Sequence, residues 1–268
     1  MRQQDAQESF YGDDVDYDRG SPHLVHPSLR NHLVGRVRDA VLALHKAEYP
    51  LNVLEVGAGH GGYTEPALAL GCKVTAVEMS RPSLRHLSTK FATNSNLQCV
   101  LDSDGTLSEI QSEYSMVLAA AVLHHIPDYN AFLLRVCNRI VPGGCLLTFQ
   151  DPLWYPRVSR IARGSGRAAY LLWRLGQGEL SKGLKTLVRR LSRRLDEDNP
   201  SDMVEYHVVR NGVDEEEILH LLTPMFRTVH IFRYWSSQSR LAQILGERIG
   251  FENTFGVYAE GFQGKDSV

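Results

Sequence analysis

One glycine-rich turn, in the stretch LNVLEVGAGHGG at residues 51–62, restricts the possible folds of this chain more than any other feature. The apolar run NVLEV (52–56) before it is typical of a buried strand, and YTEPALALG (63–71) after it is typical of a helix closed by glycine. Glycines let a backbone pass close to a ligand, and the start of a helix offers N–H groups to it. The stretch therefore predicts a strand, a nucleotide-binding loop and a helix.

Apolar strands and helices continue to alternate after this loop. Further strands are predicted at 73–79, 97–101, 114–121 and 145–150, and VPGG (141–144) is expected to turn the chain into the last of these. Strands that are apolar throughout predict a parallel sheet covered by helices on both faces, which is the doubly wound α/β class. The alternation stops after residue 150 and resumes at residue 214 with a helix, a strand, a short helix and a last strand. The final two strands are either parallel or an antiparallel pair with a helix inserted.

The same breaks divide the chain into expected segments. Residues 1–28 are predicted to be an N-terminal lid, 29–150 the cofactor-binding core, 151–213 an inserted helical cap and 214–268 the C-terminal part of the core. In a doubly wound sheet, ligands bind at the carboxyl ends of the strands. Every loop that follows a strand is therefore a candidate site.

The glycines alone do not identify the nucleotide, because they fit both G-x-G-x-x-G and G-x-G-x-G. Glu55, just before the loop, would repel a pyrophosphate but attract an ammonium group, which favours a nucleoside that carries an amino acid. Glu78 ends the second strand, where a carboxylate accepts hydrogen bonds from ribose hydroxyls of either cofactor. No tyrosine has a lysine four residues later, as a short-chain dehydrogenase requires. A nicotinamide-dependent oxidoreductase is therefore the weaker alternative.

Several further segments belong to one pattern, namely VLEVGAGHGG, the acidic end of VTAVE, SDGT, VLHHIPD and RIVPGGCLLTF. Over residues 51–150 the chain resembles a class I S-adenosylmethionine-dependent methyltransferase. The resemblance implies a seven-stranded, mainly parallel sheet with the last strand reversed. Asp102 and Asp104 are both possible partners for adenine, and Asp104 is preferred because Gly-Thr follows it. The implied cofactor-binding residues are Glu55, Gly57, Gly59, Gly61, Glu78, Met79, Asp104, Gly105, Ala121 and Leu123.

Candidate catalytic residues follow the fourth and fifth strands. Methyl transfer from a sulfonium mostly requires positioning, with a base only where the acceptor must lose a proton. His124 and His125 follow one strand and Asp151 the next, so both loops open onto one crevice. An imidazole oriented by a carboxylate would there deprotonate a hydroxyl. The alternative is that the histidines belong to the scaffold and that Asp151, before Pro152, shapes a turn.

Candidate substrate-binding residues lie ahead of the first long helix and around the predicted cap. Those ahead of the helix would close over the sulfonium as part of a lid, and the others would line an acceptor pocket; ordinary packing is the alternative. They are Tyr11, Tyr17, His23, His26, Trp154 and Tyr206. The sequence thus predicts a small-molecule methyltransferase, with O-methylation of a sugar, phenol or other secondary metabolite favoured over N- or C-methylation.

A basic segment is concealed by the formal net charge of −2. From Arg157 to Arg194 there are eleven Lys or Arg and a single acid. Leucines recur at helical spacing within 180–195 with cations between them, which predicts a solvated cap face or a dock for an acidic partner or membrane surface. Nucleic acid is not expected, because stacking aromatics are not interleaved with these cations. A non-catalytic, membrane-recruited protein on a methyltransferase scaffold is a further alternative.

The remaining composition argues against export and metal binding. The first ten residues lack the apolar core of a signal peptide, and the longest apolar run, MVLAAAVL (116–123), is too short to span a bilayer. A cytoplasmic location is therefore expected. The four cysteines show no metal-ligand spacing, so we expect reduced packing residues and no metal site.

Overall fold

Helices and strands alternate along the chain much as the sequence predicts. The structure, a computed structural model, describes residues 21–176 and 211–264. Its strands are β1 (Asn52–Val56), β2 (Lys73–Glu78), β3 (Leu97–Leu101), β4 (Tyr114–Ala120), β5 (Ile140–Pro152), β6 (Phe226–Tyr234) and β7 (Thr254–Phe262). Its helices are α1 (Pro22–Val25), α2 (Pro27–Lys46), α3 (Thr64–Ala69), α4 (Arg81–Lys90), α5 (Tyr129–Cys137), α6 (Arg160–Gly176), α7 (Glu215–Leu222) and α8 (Arg240–Ile249).

The strands form one sheet of seven in the order β3-β2-β1-β4-β5-β7-β6. Neighbours from β3 to β5 are parallel, and β7 is antiparallel to both β5 and β6. This confirms the predicted mainly parallel, doubly wound sheet with a reversed last strand. It also decides between the alternatives for the last two strands, which are an antiparallel pair with α8 inserted. The strand order reverses between β1 and β4, so a crevice opens there at the carboxyl edge.

Side chains on the two faces of the sheet enter separate apolar cores. Val53 of β1 packs on the face covered by α2, while its neighbour Leu54 packs on the opposite face. The predicted apolar stripe of α2 is buried and consists of Leu29, Leu33, Val37, Val41 and Leu44. Because the central strands are covered on both faces, the carboxyl edge is the part of the sheet left for a ligand.

β5 begins earlier than the sequence suggested. The segment VPGG (141–144), expected to be a turn, lies inside β5. Regular pairing with β4 resumes only at Cys145, which lies opposite Met116. The expectation was wrong because a strand can carry extra residues as a bulge, and Gly143 supplies the necessary positive φ of 81°.

The rim of the sheet beyond β6 is organised around Trp235. The indole is buried, and its Nε1–H donates to the carbonyl of Ala242 at 2.9 Å. Gly246 of α8 lies so close to this ring that a Cβ there would come within 2.3 Å of Nε1. Gly166 of α6 approaches the same ring, with a Cβ position 3.5 Å away. Trp235 thus holds α6 and α8 together at the edge of the domain.

The predicted lid and cap are described only in part. α1 falls within the predicted lid, and α6 falls within the predicted cap. Residues 1–20 and 177–210, with the basic stretch 180–195, lie outside the described residues. The predicted segment boundaries therefore stay predictions.

Candidate functional site

The glycine loop follows β1 and is held against the neighbouring strands. The backbone N–H groups of Gly57 and Ala58 donate to the carbonyl of Val77 at 2.9 and 3.1 Å. Gly57 has a φ of +72°, and a Cβ there would lie 2.6 Å from Cγ2 of Val122. Gly59 and Gly61 also have positive φ, of 53° and 81°. The positive φ favours glycine at all three positions, and at Gly57 and Gly61 neighbouring side chains also leave no space for a Cβ.

Glu55 lies buried beneath this loop. Its Oε2 accepts a hydrogen bond of 2.5 Å from the Thr64 hydroxyl at the start of α3. Burial raises the pKa of Glu55 to about 7; repulsion from Glu78 adds to the shift and the Thr64 bond opposes it. A buried carboxyl of this kind is stabilised in its charged form by a cationic ligand group.

Glu78 links the end of β2 to the glycine loop. Its Oε2 accepts from the Gly59 N–H at 2.8 Å, and its Oε1 accepts from the Ser80 N–H at 2.9 Å. Burial raises its pKa, and the backbone hydrogen bonds oppose that shift. The carboxylate therefore holds the glycine loop in place. It lies at the end of β2, where the sequence predicts a hydrogen-bond partner for ribose.

The two aspartates after β3 have different surroundings. Asp102 is buried, accepts from the Leu107 N–H at 3.1 Å, and has its pKa raised chiefly by burial. Asp104 is exposed, and its Oδ1 accepts from the hydroxyl and N–H of Thr106 at 2.7 and 3.0 Å, which lowers its pKa. Gly105 follows, and a Cβ there would lie 3.8 Å from Cε of Met79. The fold thus brings together predicted cofactor residues from β2 and β3, and leaves Asp104 the more accessible carboxylate.

The loop after β4 forms the other wall of the crevice. Ala121 has a φ of +59°, and its N–H donates to the carbonyl of Phe149 at 2.8 Å. A short 3-10 helix, Leu123–His125, follows, with the Leu123 side chain fully buried. This turn places both predicted histidines beside the end of β5.

His124, rather than His125, pairs with Asp151. One oxygen of the fully buried Asp151 accepts from the backbone N–H of His124 at 3.0 Å and contacts its ring Nδ1 at 2.8 Å. The ring of His125 is tilted against that of His124, with centroids 3.9 Å apart. The predicted carboxylate-imidazole pair therefore exists in the folded chain, at the edge next to the glycine loop.

His23 of α1 lies near enough to His124 for the two rings to interact electrostatically. Burial, together with the nearby His124, lowers the pKa of His23 to about 3, so its ring is neutral. Its Nδ1 is buried without a hydrogen-bond partner among the described residues. Tyr63, which the sequence analysis did not single out, stacks on this ring and packs edge-on against Phe149. The predicted lid residue thus forms part of the crevice wall.

The other predicted substrate-binding residues make contacts away from the pair, or fall outside the described chain. His26 Nε2 contacts the carbonyl of Ser237 at 2.8 Å, which ties α1 to the segment before α8. Trp154 is half-buried and carries the Arg157 guanidinium 4.6 Å from its ring centroid. A role toward an acceptor stays a prediction for both. The remaining predicted residues, Tyr11, Tyr17 and Tyr206, lie outside the described residues.

A groove of mixed charge beside the glycine loop was not predicted. Its volume is about 430 Å³, and its lining includes Arg30, His60, Glu65 and Lys90. Glu65 faces both cations, with Arg30 at 4.0 Å and Lys90 at 3.5 Å. Burial raises the pKa of Tyr63, and the nearby Arg30 opposes that shift. The charged residues of the groove lie on α2, α3 and α4, so no local sequence motif predicts them.

Comparison with known proteins gives a family for the central segment. Residues 54–146 match the family described as "Methyltransferase domain". The ubiquinone biosynthesis O-methyltransferase of Rickettsia felis is 27% identical over 131 residues, which are 48% of this chain and 51% of that protein. An uncharacterised methyltransferase of Mycobacterium bovis is 35% identical over 124 residues, 42% of this chain and 62% of that protein. The matches thus span less than two thirds of these curated relatives.

Solved structures extend the likeness to the whole sheet. The N-methyltransferase NodS of Bradyrhizobium japonicum, in complex with S-adenosylhomocysteine, has a TM-score of 0.56 at 12% identity, over 97% of this chain and 99% of that one. The plantazolicin methyltransferase BpumL, also with S-adenosylhomocysteine, has a TM-score of 0.55 at 12% identity, over 97% and 95%. At such identity the likeness shows the fold alone.

The family match covers the loop, both carboxylates and the turn after β4, and the sheet order completes the fold around them. The glycine loop offers a place for a nucleoside, and the buried Glu55 suits a cationic amino group, so the residues fit the cofactor of this family. The family match favours the methyl donor over the nicotinamide alternative. Residues 54–146 thus match a methyltransferase domain, and they lie within a sheet that has the fold of class I S-adenosylmethionine-dependent methyltransferases.

Proposed function

We propose that this protein transfers a methyl group from S-adenosylmethionine to a hydroxyl group of a small molecule such as a sugar or phenol. The observation that carries the proposal is the His124–Asp151 pair, in which one buried carboxylate oxygen contacts the backbone N–H and the ring Nδ1 of His124. Of the relatives named above, one is an O-methyltransferase and another an N-methyltransferase. The choice of oxygen therefore rests on the pair. A cytoplasmic location and a small-molecule acceptor, rather than nucleic acid, belong to the same proposal.

The pair assigns His124 the role of general base. With Nδ1–H donating to Asp151, the lone pair of the neutral ring lies on Nε2. Nε2 would take the proton of the acceptor hydroxyl while the methyl group passes from sulfur to oxygen, the methyl–sulfur bond breaking and S-adenosylhomocysteine leaving. The carboxylate of Asp151 stabilises the imidazolium that results. A base of this kind contributes a rate factor of about 100 to about 10,000.

The cofactor, when bound, supplies an electrophilic methyl group on a sulfonium. We assign Glu55 to its ammonium group, Glu78 to its ribose hydroxyls and Asp104 to the adenine amino group. The raised pKa of Glu55 supports the first assignment, because a ligand cation offsets the burial of its charge. The remaining contacts would be made by backbone or apolar atoms of Gly57, Gly59, Gly61, Met79, Gly105, Ala121 and Leu123.

His23 is assigned to the acceptor side of the crevice. His124 is close enough to contribute to the lowered pKa of the neutral His23 ring. The buried Nδ1 of His23 could form one hydrogen bond with an acceptor molecule. Tyr63 stacks on the ring and so keeps it in place. The acceptor would then lie between α1 and the His124–Asp151 pair.

Release of S-adenosylhomocysteine with a panel of phenols, sugars and amines tests the proposal. We expect turnover with hydroxyl acceptors and a loss of about 100-fold or more in kcat for His124→Ala, with His125→Ala much closer to wild type. Turnover on amines alone would overturn the choice of oxygen. A His124→Ala variant as fast as wild type would overturn the assignment of the base.

A further inference from the structure

α8 turns its apolar side chains away from the rest of the protein. Its buried residues are Gln243 and Gly246, and the Gln243 Oε1 accepts from the backbone N–H of Ser237 at 2.8 Å. An ordinary surface helix does the reverse and packs its apolar stripe on the core. The large apolar side chains that α8 exposes are Leu241 (75%), Ile244 (38%), Leu245 (56%) and Ile249 (62%).

The same outer face carries cations and no carboxylate. Leu241, Leu245 and Arg248 are four and three residues apart, so they lie on one side of the helix. Arg240 precedes them, and none of the salt bridges among the described residues involves either arginine. Glu247 is the only acid of α8, and it accepts hydrogen bonds from Ser28 and Gln243 on the inner flank.

The neighbouring helix α6 has similar chemistry. Its Ile161 is 71% exposed, and Arg160 and Arg167 are exposed as well. α6 meets α8 around Trp235, through Gly166 and Gly246. Apolar and cationic side chains therefore occur together on both helices of this rim.

We propose that the outer face of α8, formed by Leu241, Leu245, Arg248 and Ile249, docks on an anionic lipid surface. A lipid surface supplies an apolar layer for the leucines and phosphate groups for the arginines at the same time. No helix within the described ranges is long and apolar enough to cross a membrane, so the contact is with the surface. Exposed apolar patches of this kind mark interaction sites.

A second copy of the chain suits this face less well than lipid does. A two-fold symmetric dimer brings the same patch of both copies together, so Arg248 would approach its own counterpart. The face carries no acid that would pair with it there. Charge complementarity thus favours an anionic partner. This inference is independent of the proposed methyl transfer, because it concerns binding only.

Co-sedimentation with vesicles tests the proposal directly. The full chain is mixed with vesicles of phosphatidylcholine alone or of phosphatidylcholine and phosphatidylglycerol in equal parts, and the L241E/L245E variant is compared with L42E. Leu42 is 51% exposed on α2 and so matches Leu245 in exposure and chemistry. We expect binding to the anionic vesicles that weakens at least about tenfold in the double variant and by less than about twofold in L42E.

Three results would overturn the proposal. The first is a wild-type protein that stays in the supernatant with anionic vesicles. The second is a double variant that sediments as wild type does, since the basic stretch 180–195 would then suffice. The third is a wild-type dimer by light scattering that the double variant converts to a monomer, which would make this face an interface between copies. S-adenosylhomocysteine binding, measured on each variant, reports separately on the methyltransferase site.

Discussion

The cofactor half and the acceptor half of the sheet edge are assembled in different ways. In the cofactor half, formed by the loops after β1 to β3, Glu55 and Glu78 bond to partners 9 and 19 residues away along the chain. In the acceptor half, formed by the loops after β4 to β6 and by α1, the corresponding separations are 27 for His124–Asp151 and 211 for His26–Ser237. The first half is therefore a local unit, whereas the second depends on the whole sheet being folded.

The two halves also differ in how they carry charge. In the cofactor half, burial raises the pKa of Glu55 and Glu78; a ligand cation would stabilise the charged form of Glu55, and hydrogen bonds from a ligand would stabilise that of Glu78. In the acceptor half, Asp151 is already paired with His124, and His23 is kept neutral. A cofactor can thus be recognised by fixed local groups, while the acceptor site is set by residues collected from distant parts of the chain.

The largest expected effect is the loss of cofactor binding in a variant whose acceptor half is unchanged. Gly59→Arg would fill the place of the cofactor, because Gly59 lies in the loop with its N–H on Glu78. We expect S-adenosylhomocysteine affinity to fall by at least about 1,000-fold in calorimetry, with the protein still folded. The matched control is Gly71→Arg, because Gly71 also has a positive φ but open space around its Cβ position. Affinity retained in a folded Gly59→Arg variant would contradict the assignment of the loop.

A complementary change breaks only the acceptor half. Asp151→Asn keeps the shape of the side chain but loses the charge that orients His124 and stabilises its protonated form. We expect kcat to fall by about 100-fold or more, with S-adenosylhomocysteine affinity within about threefold of wild type. Asp104→Asn is the counterpart in the cofactor half and should weaken affinity while leaving saturated turnover nearly unchanged. Equal effects of both changes on affinity would mean that the halves are not separate.

The pH dependence of cofactor binding sharpens the comparison further. Glu55, with a pKa of about 7, is protonated below that pH and must lose its proton to hold an ammonium group. Affinity for S-adenosylhomocysteine should therefore fall as pH drops below about 7, approaching tenfold per pH unit. Glu55→Gln should flatten this slope, whereas Glu113→Gln, in an exposed position just before β4, should leave it unchanged. A wild-type affinity that does not vary from about pH 5.5 to about pH 8 would contradict the role of Glu55.

The smallest effect concerns a long-range bond of the acceptor half. The Tyr234 hydroxyl accepts from the Gln150 N–H at 2.7 Å, beside Asp151. Tyr234→Phe leaves that partly buried N–H without its partner and should lower the free energy of unfolding by about 1–3 kcal/mol in urea denaturation. Tyr258→Phe, which removes only a 3.2 Å bond to Glu260, should lower it by less than about 1 kcal/mol. Equal losses of unfolding free energy in the two variants would mean that the Tyr234–Gln150 bond stabilises the fold no more than the Tyr258–Glu260 bond does.

The cofactor half was the more predictable from sequence, and its construction explains why. The loop glycines, Glu55 and Glu78 follow apolar strands directly, so a local pattern was enough to place them on one edge. Arg30 was missed because it lies on a helix ahead of the first strand and reaches the groove only through the fold. The preference for Asp104 over Asp102 was based on its neighbours, and the buried Leu107 contact of Asp102 is consistent with it.

In the acceptor half, the sequence predicted the participants but not their arrangement. The sequence predicts that the histidines and Asp151 share one crevice, because they follow the ends of neighbouring strands. It does not predict which histidine pairs with Asp151, because that depends on the 3-10 turn after β4. Tyr63 was missed because it looked like an ordinary helix-start residue, and Tyr234 because its partner lies 84 residues away. The outward apolar face of α8 was also missed, since helical spacing alone does not tell which side is buried. The predictions for Tyr11, Tyr17, Tyr206 and the stretch 180–195 concern residues outside those described.

Calorimetric titration with S-adenosylhomocysteine, beside NADH on the same preparation, tests the central claim most directly. We propose that the glycine loop, with Glu55 and Glu78, binds a nucleoside that carries an amino acid, so we expect micromolar binding of S-adenosylhomocysteine and none of NADH. Binding of NADH alone, or of neither ligand, would contradict the assignment of this edge as a methyl-donor site.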